Sequence, residues 1–182
     1  MQAHLAWRHA RVLRLQAQNT RGNTVKTLIS FASRFGAEIT LNPEFVTEKS
    51  QRFYLLNPAL RKIACNNFFY AGRYLGKTKN GIFFPSFNFL NMLVSVVTNK
   101  VILDRKTAWL YICGRDVFRS GVEKSMGSQR KGDYTLVMNE FGECLGFGMI
   151  EGSKEKASGK IQVRNVLDVG DFLRRETNRR FS

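Results

Sequence analysis

The stretch WLYICGRDVFRSGVEKS, Trp109 to Ser125, runs four apolar residues into a glycine, then a short charged turn, then a second glycine. Read alone, "AWLYI" at 108–112 is a strand, and Gly114 lets the backbone turn sharply out of it. Asp116 then falls in the first turn of a short helix, Val117 pins that helix to a core, and Gly121 ends it. Arg115, Arg119 and Lys124 are left at the surface beside strand ends. There they can meet phosphates, contacts that fix a protein on nucleic acid without reading its sequence. An ordinary solvated turn accounts for the spacing equally well.

On either side, short strands are predicted. "KVIL" precedes a turn at Asp104-Arg105-Lys106, and "DYTLVM" and "ECLGFGMI" are joined across Asn139-Glu140-Phe141-Gly142, a hairpin-length connection. A polar loop, "EGSKEKASG", leads to the strand "KIQVRNV", and Asp168 caps a last helix with Val169, Phe172 and Leu173. In "ECLGFGMI", Leu145, Phe147 and Met149 share one face while Gly146 and Gly148 share the other. That second face is a bare strip which a foreign backbone can approach, or which a packed helix or a bulge can fill. Lys154, Lys156, Lys160 and Arg164 cluster in and after the next loop, where they form a candidate phosphate track. Short strands with two short helices predict a compact β-barrel from about residue 98.

Before residue 98 the pattern is mixed. Thr24 reads as an N-cap, with Val25, Leu28, Ile29, Ala32 and Phe35 at helical spacing and Gly36 as the C-terminal cap. "AEITL" and "RFYLL" read as strands, and Asn57-Pro58 opens a helix. "RYLGK", the Asn80-Gly81 turn and "IFFP" make a hairpin, and Ser86 caps a helix through Leu93. The predicted class is α+β, an antiparallel sheet with helices followed by the barrel.

Composition narrows the function. Lys and Arg number 29 against 14 Asp and Glu, a net +15, which suits a polyanionic partner. Residues 1–97 hold 13 basic and 3 acidic residues, and no Asp occurs before Asp104. Residues 1–22 contain four arginines and no acid, read as a basic extension, although a transit peptide or an overlong start has the same composition. The longest mostly apolar run, from Phe87 to Val97, is shorter than the roughly 20 residues a membrane span needs. Cys65, Cys113 and Cys144 have no paired spacing and read as reduced thiols of a cytosolic protein. With only His4 and His9, a zinc site lacks ligands and a histidine base is hard to place. No cofactor is expected.

"AGRYLGKT", Ala71 to Thr78, imitates a phosphate-binding loop, with Asp104 of "VILD" as its distant carboxylate. Such a loop needs a helix directly after its Lys-Thr. Here Lys79-Asn80-Gly81 turns into an apolar strand, so the reading is a hairpin arm.

"GRDVFRSGV", "LGFGMI" and "DVGDFLRRE" resemble a PUA domain, an RNA-binding module also found on pseudouridine synthases. "YLGKT", "IFFPSFNFLNML" and "KVIL" resemble the N-terminal domain of the Nip-seven family of large-subunit ribosome biogenesis factors, over about residues 24 to 177. The resemblance implies an N-terminal α/β domain (23–97) and a PUA pseudo-barrel (98–178); the basic extension (1–22) lies outside it and departs from the family. It implies a non-catalytic, monomeric factor that binds pre-ribosomal RNA alongside other assembly factors, cytoplasmic in an archaeon or nucleolar in a eukaryote. Carried over by position, Lys154, Lys156, Lys160 and Arg164, with the Gly114 to Gly121 turn, would contact RNA. An RNA-modifying enzyme with an appended PUA domain and a protein-interaction adaptor are the alternatives. The first would require a carboxylate in an N-terminal cleft.

Overall fold

The structure, a computed structural model, describes residues 22–63, 70–128, 130–151, 161–171 and 174. The chain forms two compact units. One takes in the chain up to Phe31 together with Ile39–Phe89; the other takes in Ala32–Glu38 and the chain from Leu90 onward. The basic extension, apart from Gly22, lies outside the described residues.

The first unit is an antiparallel sheet of four strands, β1 (Val46–Lys49), β2 (Arg52–Leu55), β3 (Arg73–Lys79) and β4 (Ile82–Pro85), in chain order. Asn80 and Gly81 both take positive φ, 52° and 75°, and Lys79 pairs with Ile82, the primed two-residue turn that Asn-Gly favours. Lys77 and Thr78 lie within β3 and are followed by that turn, so no helix N-terminus meets them. A second tight turn joins β1 to β2 through Ser50 and Gln51, both at positive φ (50° and 61°). Helix α1 spans residues 22–33, so Thr24 is an interior residue rather than the cap: it is buried, and its hydroxyl donates to Glu48 Oε2 at 2.8 Å. Ile29, read as core, is 37% exposed, while Phe31 is buried and meets Phe83 edge-on at 5.1 Å. "AEITL" is irregular chain, not a strand. Helix α2 (Pro58–Ile63) starts as read, with Asn57 Oδ1 accepting from Leu60 N at 2.7 Å. Helix α3 (Phe87–Leu93) starts at Ser86, whose Oγ accepts from Phe89 N at 3.2 Å.

α1 closes at Gly36, where φ is +66°. Ala37 N donates to Ala32 O and Gly36 N to Ser33 O, the paired bonds of a Schellman cap. This end of the helix belongs to the second unit, whose sheet has the order β6-β10-β9-β8-β5-β7. The strands are β5 (Lys100–Leu103), β6 (Val117–Phe118), β7 (Val122–Met126), β8 (Tyr134–Met138), β9 (Cys144–Ile150) and β10 (Ile161–Asp168). All pairs are antiparallel except β5 with β8. The two edge strands, β6 and β7, are consecutive in the chain and joined only by the 3-10 turn Arg119–Gly121. Three residues cannot bridge a flat six-stranded sheet, in which neighbouring strands lie about 4.8 Å apart, so the sheet must curl until its edges approach. The barrel reading is correct in class.

The opening stretch is corrected. "AWLYI" is not a strand but most of helix α4 (Arg105–Ile112), and the expected helix after Gly114 is β6 followed by the 3-10 turn. Asp104 is the N-cap, its Oδ1 accepting from Thr107 N at 2.7 Å and its Oδ2 from Thr107 Oγ1 at 2.9 Å. α4 buries Ala108 and Tyr111 at i, i+3 spacing against β5, β9 and β10. Tyr111 joins Val101, Leu103, Val117, Val137 and Val163 in the core of this unit. Its hydroxyl lies 2.8 Å from the Phe147 carbonyl oxygen and 3.1 Å from that of Leu167. Among the described residues no helix is long and apolar enough to cross a membrane.

Candidate nucleic-acid interface

α4 ends where Gly114 takes φ +89°, a conformation that L side chains avoid. The Cys113, Gly114 and Arg115 N–H groups turn back onto Trp109 O, Leu110 O and Tyr111 O, and Ile112 O needs a partner of its own. The Arg174 guanidinium supplies one, donating to Ile112 O at 2.6 Å while it forms a two-point contact with Asp168. Asp168 is therefore a buried anchor for Arg174 rather than a helix cap, with its side chain 3% exposed. Asn165 ties the same corner: its Nδ2 donates to Tyr111 O at 3.0 Å and to Asp168 Oδ2, and its backbone N–H to Asp116 Oδ1 at 2.8 Å. Asp116, expected in a helical turn, instead accepts the Asn165 backbone N–H with its carboxylate and so clamps the Gly114–Asp116 loop to β10.

Between α4 and the β6 segment lies a groove of about 490 Å³. Lys106 and Leu110 come from the helix, Arg115 from the clamped loop, and Phe118, Ser120 and Gly121 from the other bank. The banks lie close because Gly121 has no side chain: a Cβ there would stand 2.0 Å from Thr107 Oγ1. Its φ is not positive, so it serves this approach rather than a helix end. Lys106, Arg115 and Phe118 are exposed, the last at 46%. Asp104 and Asp116 also line the groove, but their oxygens accept from Thr107 and Asn165 N–H. Exposed Arg105 and Arg119 adjoin the lining residues Lys106 and Phe118 in the chain and add to the groove's two cations. An exposed aromatic facing two cations across a groove has the chemistry to take an unpaired nucleotide, with a base on the ring and phosphates on the cations.

Of the expected site residues, the structure brings Arg115 and Gly121 into one groove and leaves Arg119 beside it, 3.5 Å from Gln162 Oε1. Lys124 sits on β7, opposite Ile102. Arg164 does not join them: on β10 it pairs with Glu151 at 2.9 Å, a carboxylate that also meets Lys131 at 3.4 Å. Lys154, Lys156 and Lys160 lie outside the described residues. The bare strip of Gly146 and Gly148 is filled from within. A Cβ at Gly146 would stand 2.0 Å from Leu167 O, and one at Gly148 would stand 2.5 Å from Arg164 O. The backbone that approaches these glycines in the structure is β10. Lys106 and Leu110 were missed because residues 104–106 were read as a turn and 108–112 as a strand; the signal that places both on a helix is the Asp104 to Thr107 cap. Among the described residues no three His, Cys, Asp or Glu side chains are grouped to hold a metal.

The groove and the curled sheet lie within a segment that has known relatives. Residues 99–177 match the UPF0113 PUA domain family. The PUA reading of the C-terminal half thus holds at the level of the domain. A curated relative, a UPF0113 protein of Archaeoglobus fulgidus, is 29% identical over 82 residues, which is 43% of this chain. The match spans about half of that relative, 47% of its length. Among solved structures, a conserved PUA domain protein from Thermoplasma acidophilum aligns with a TM-score of 0.56 at 23% identity. That alignment covers 85% of this chain and 94% of the other, a likeness of fold that extends beyond the PUA domain. A PUA domain from Aeropyrum pernix is 26% identical, with a TM-score of 0.45, over 52% of this chain and 56% of that one.

Proposed function

We propose that this protein is a non-catalytic RNA-binding factor of ribosome biogenesis, acting in pre-ribosomal RNA processing and large-subunit assembly. In this reading its PUA domain holds the RNA, and it works as a monomer among other assembly factors. The observation that carries the reading is the groove between α4 and β6, with Lys106, Arg115 and exposed Phe118, on a segment that matches the PUA family. Phosphates would sit on Lys106, Arg115 and Arg119, and a base on Phe118. Lys154, Lys156 and Lys160 would extend the phosphate track, Arg164 less so because Glu151 already holds it. Catalysis is not part of the proposal. Lys77 and Thr78 lie in a hairpin, and the acids of the groove are tied to backbone and hydroxyl donors.

Ultraviolet crosslinking in cells, followed by mapping of both peptide and RNA, tests the reading. The expected result is precursor ribosomal RNA attached to peptides spanning residues 105–124. Crosslinks to messenger or transfer RNA alone, or none at those peptides, would overturn it.

A further inference from the structure

The first unit has a cavity of its own, about 540 Å³, where the end of β2 meets the starts of α2 and β3. That volume is in the range of small-ligand sites. Leu55 and Leu60 give it an apolar side, and Tyr70, Asn57, Asn88 and Arg73 supply the rest of its chemistry. Tyr70 is 58% exposed yet held in place, its ring edge-on to that of buried Tyr54 at 5.4 Å and 82°. Gly72 lets the wall close. At φ +69° its absent Cβ would fall 2.3 Å from Leu55 O, so β3 starts tight against β2 and Arg73 pairs with Leu55. The Asn57 oxygen is engaged by Leu60 N–H, which fixes the amide and leaves its NH2 as a donor.

The described lining thus offers one oriented aromatic ring, apolar contact, two neutral amides and a single guanidinium, with no carboxylate. An acidic peptide would call for more cations, and a metal for acids. A nucleobase calls for a ring to stack on and amides to meet its polar edge; its 5′-phosphate calls for one cation. We propose that this cavity binds a single unpaired nucleotide, its base on Tyr70, its edge at Asn57 and Asn88, and its phosphate at Arg73. The proposal rests on the RNA-binding reading and adds a second contact in the other unit. A free mononucleotide has the same chemistry, and the experiment separates the two sources.

The full chain is titrated with AMP, UMP and adenosine, followed by amide and tyrosine-ring NMR signals. AMP and UMP should shift signals at Tyr70, Asn57 and Asn88, and adenosine should bind more weakly for want of a phosphate. Tyr70→Ala should weaken AMP binding by roughly tenfold, the scale of one base–aromatic stack. Tyr70→Phe should retain it, and Arg73→Gln should erase the advantage of AMP over adenosine. Competition by oligo-adenosine or oligo-uridine would identify the occupant as a nucleotide of RNA; AMP binding without competition would identify it as a free nucleotide. Shifts confined to the PUA domain, or unchanged AMP binding by Tyr70→Ala, would overturn the proposal. These signals do not depend on Lys106 or Arg115, so failure here and failure of the groove are seen separately.

Discussion

Cys144 opens β9 half-buried, and burial pushes its thiol up to about 11. At pH 8 only about one molecule in a thousand then carries the reactive thiolate. Cys113, just past α4, is exposed. After brief maleimide treatment at pH 8, peptide mass spectrometry should find Cys113 modified and Cys144 untouched until the protein is denatured. Equal labelling of the two would contradict the packing of β9. Tyr111 behaves alike for the same reason: burial, with help from the Asp168 charge, lifts its phenol well above the ordinary 10. The native state keeps a proton that the unfolded chain releases above about pH 10. Its contribution to stability is therefore complete below that pH and is lost as pH rises further. Tyr111→Phe should cost about 1 kcal/mol near neutrality for the lost hydrogen bond and flatten the alkaline decline. Urea midpoints at pH 7.5 and 10.5 would measure both effects, and an unchanged decline would locate its source elsewhere. The sequence named Arg115 and Gly121 because charge and glycine are visible residue by residue. It missed Phe118 because exposure is not.

At the scale of elements, legibility followed turn chemistry. Asn80-Gly81, Asn57-Pro58, Ser86 and Gly36 each announce a turn or cap through a local bond, and each was read correctly. The β1–β2 turn gives no such signal, since Ser50 and Gln51 take positive φ without being Gly, Asn or Asp. α4 was misread for a different reason. Trp109, Leu110, Tyr111 and Ile112 are apolar without a gap, and four residues cannot separate a period of two from one of 3.6. The glycine strip was read on the right face with its neighbour left open among a foreign backbone, a packed helix and a bulge, because sequence shows a missing side chain and not what fills its place. In the structure β10 approaches it, with a register irregularity between Asn165 and Leu167. That neighbour makes a sharp prediction. Gly146→Ala meets backbone at φ +149° and should destabilise by about 2–5 kcal/mol. Gly142→Ala, at φ +78° with open space around it, should cost only about 1 kcal/mol. Thermal or urea melts that rank the two equally would remove the argument for close approach by β10.

For the whole molecule, the class was legible because the motifs of the C-terminal half carry a PUA pattern, and the family match over 99–177 agrees. Total charge was a poorer guide. The +15 is spread over both halves, and diffuse charge yields mainly sequence-independent attraction. What concentrates the proposed site is closure of the sheet. Joining β6 to β7 through three residues sets Phe118 and Ser120 opposite Lys106 and Arg115 and makes a groove from a surface. The most direct test is the salt dependence of binding to a single-stranded precursor-rRNA fragment, compared between the wild type and the Lys106→Ala, Arg115→Ala, Arg119→Ala triple variant. Each lost phosphate contact should lower the slope of log affinity against log salt by about 0.7, so the triple variant should bind markedly more weakly with a slope smaller by about 2. A folded variant with the affinity and slope of the wild type would contradict the groove as the seat of RNA binding.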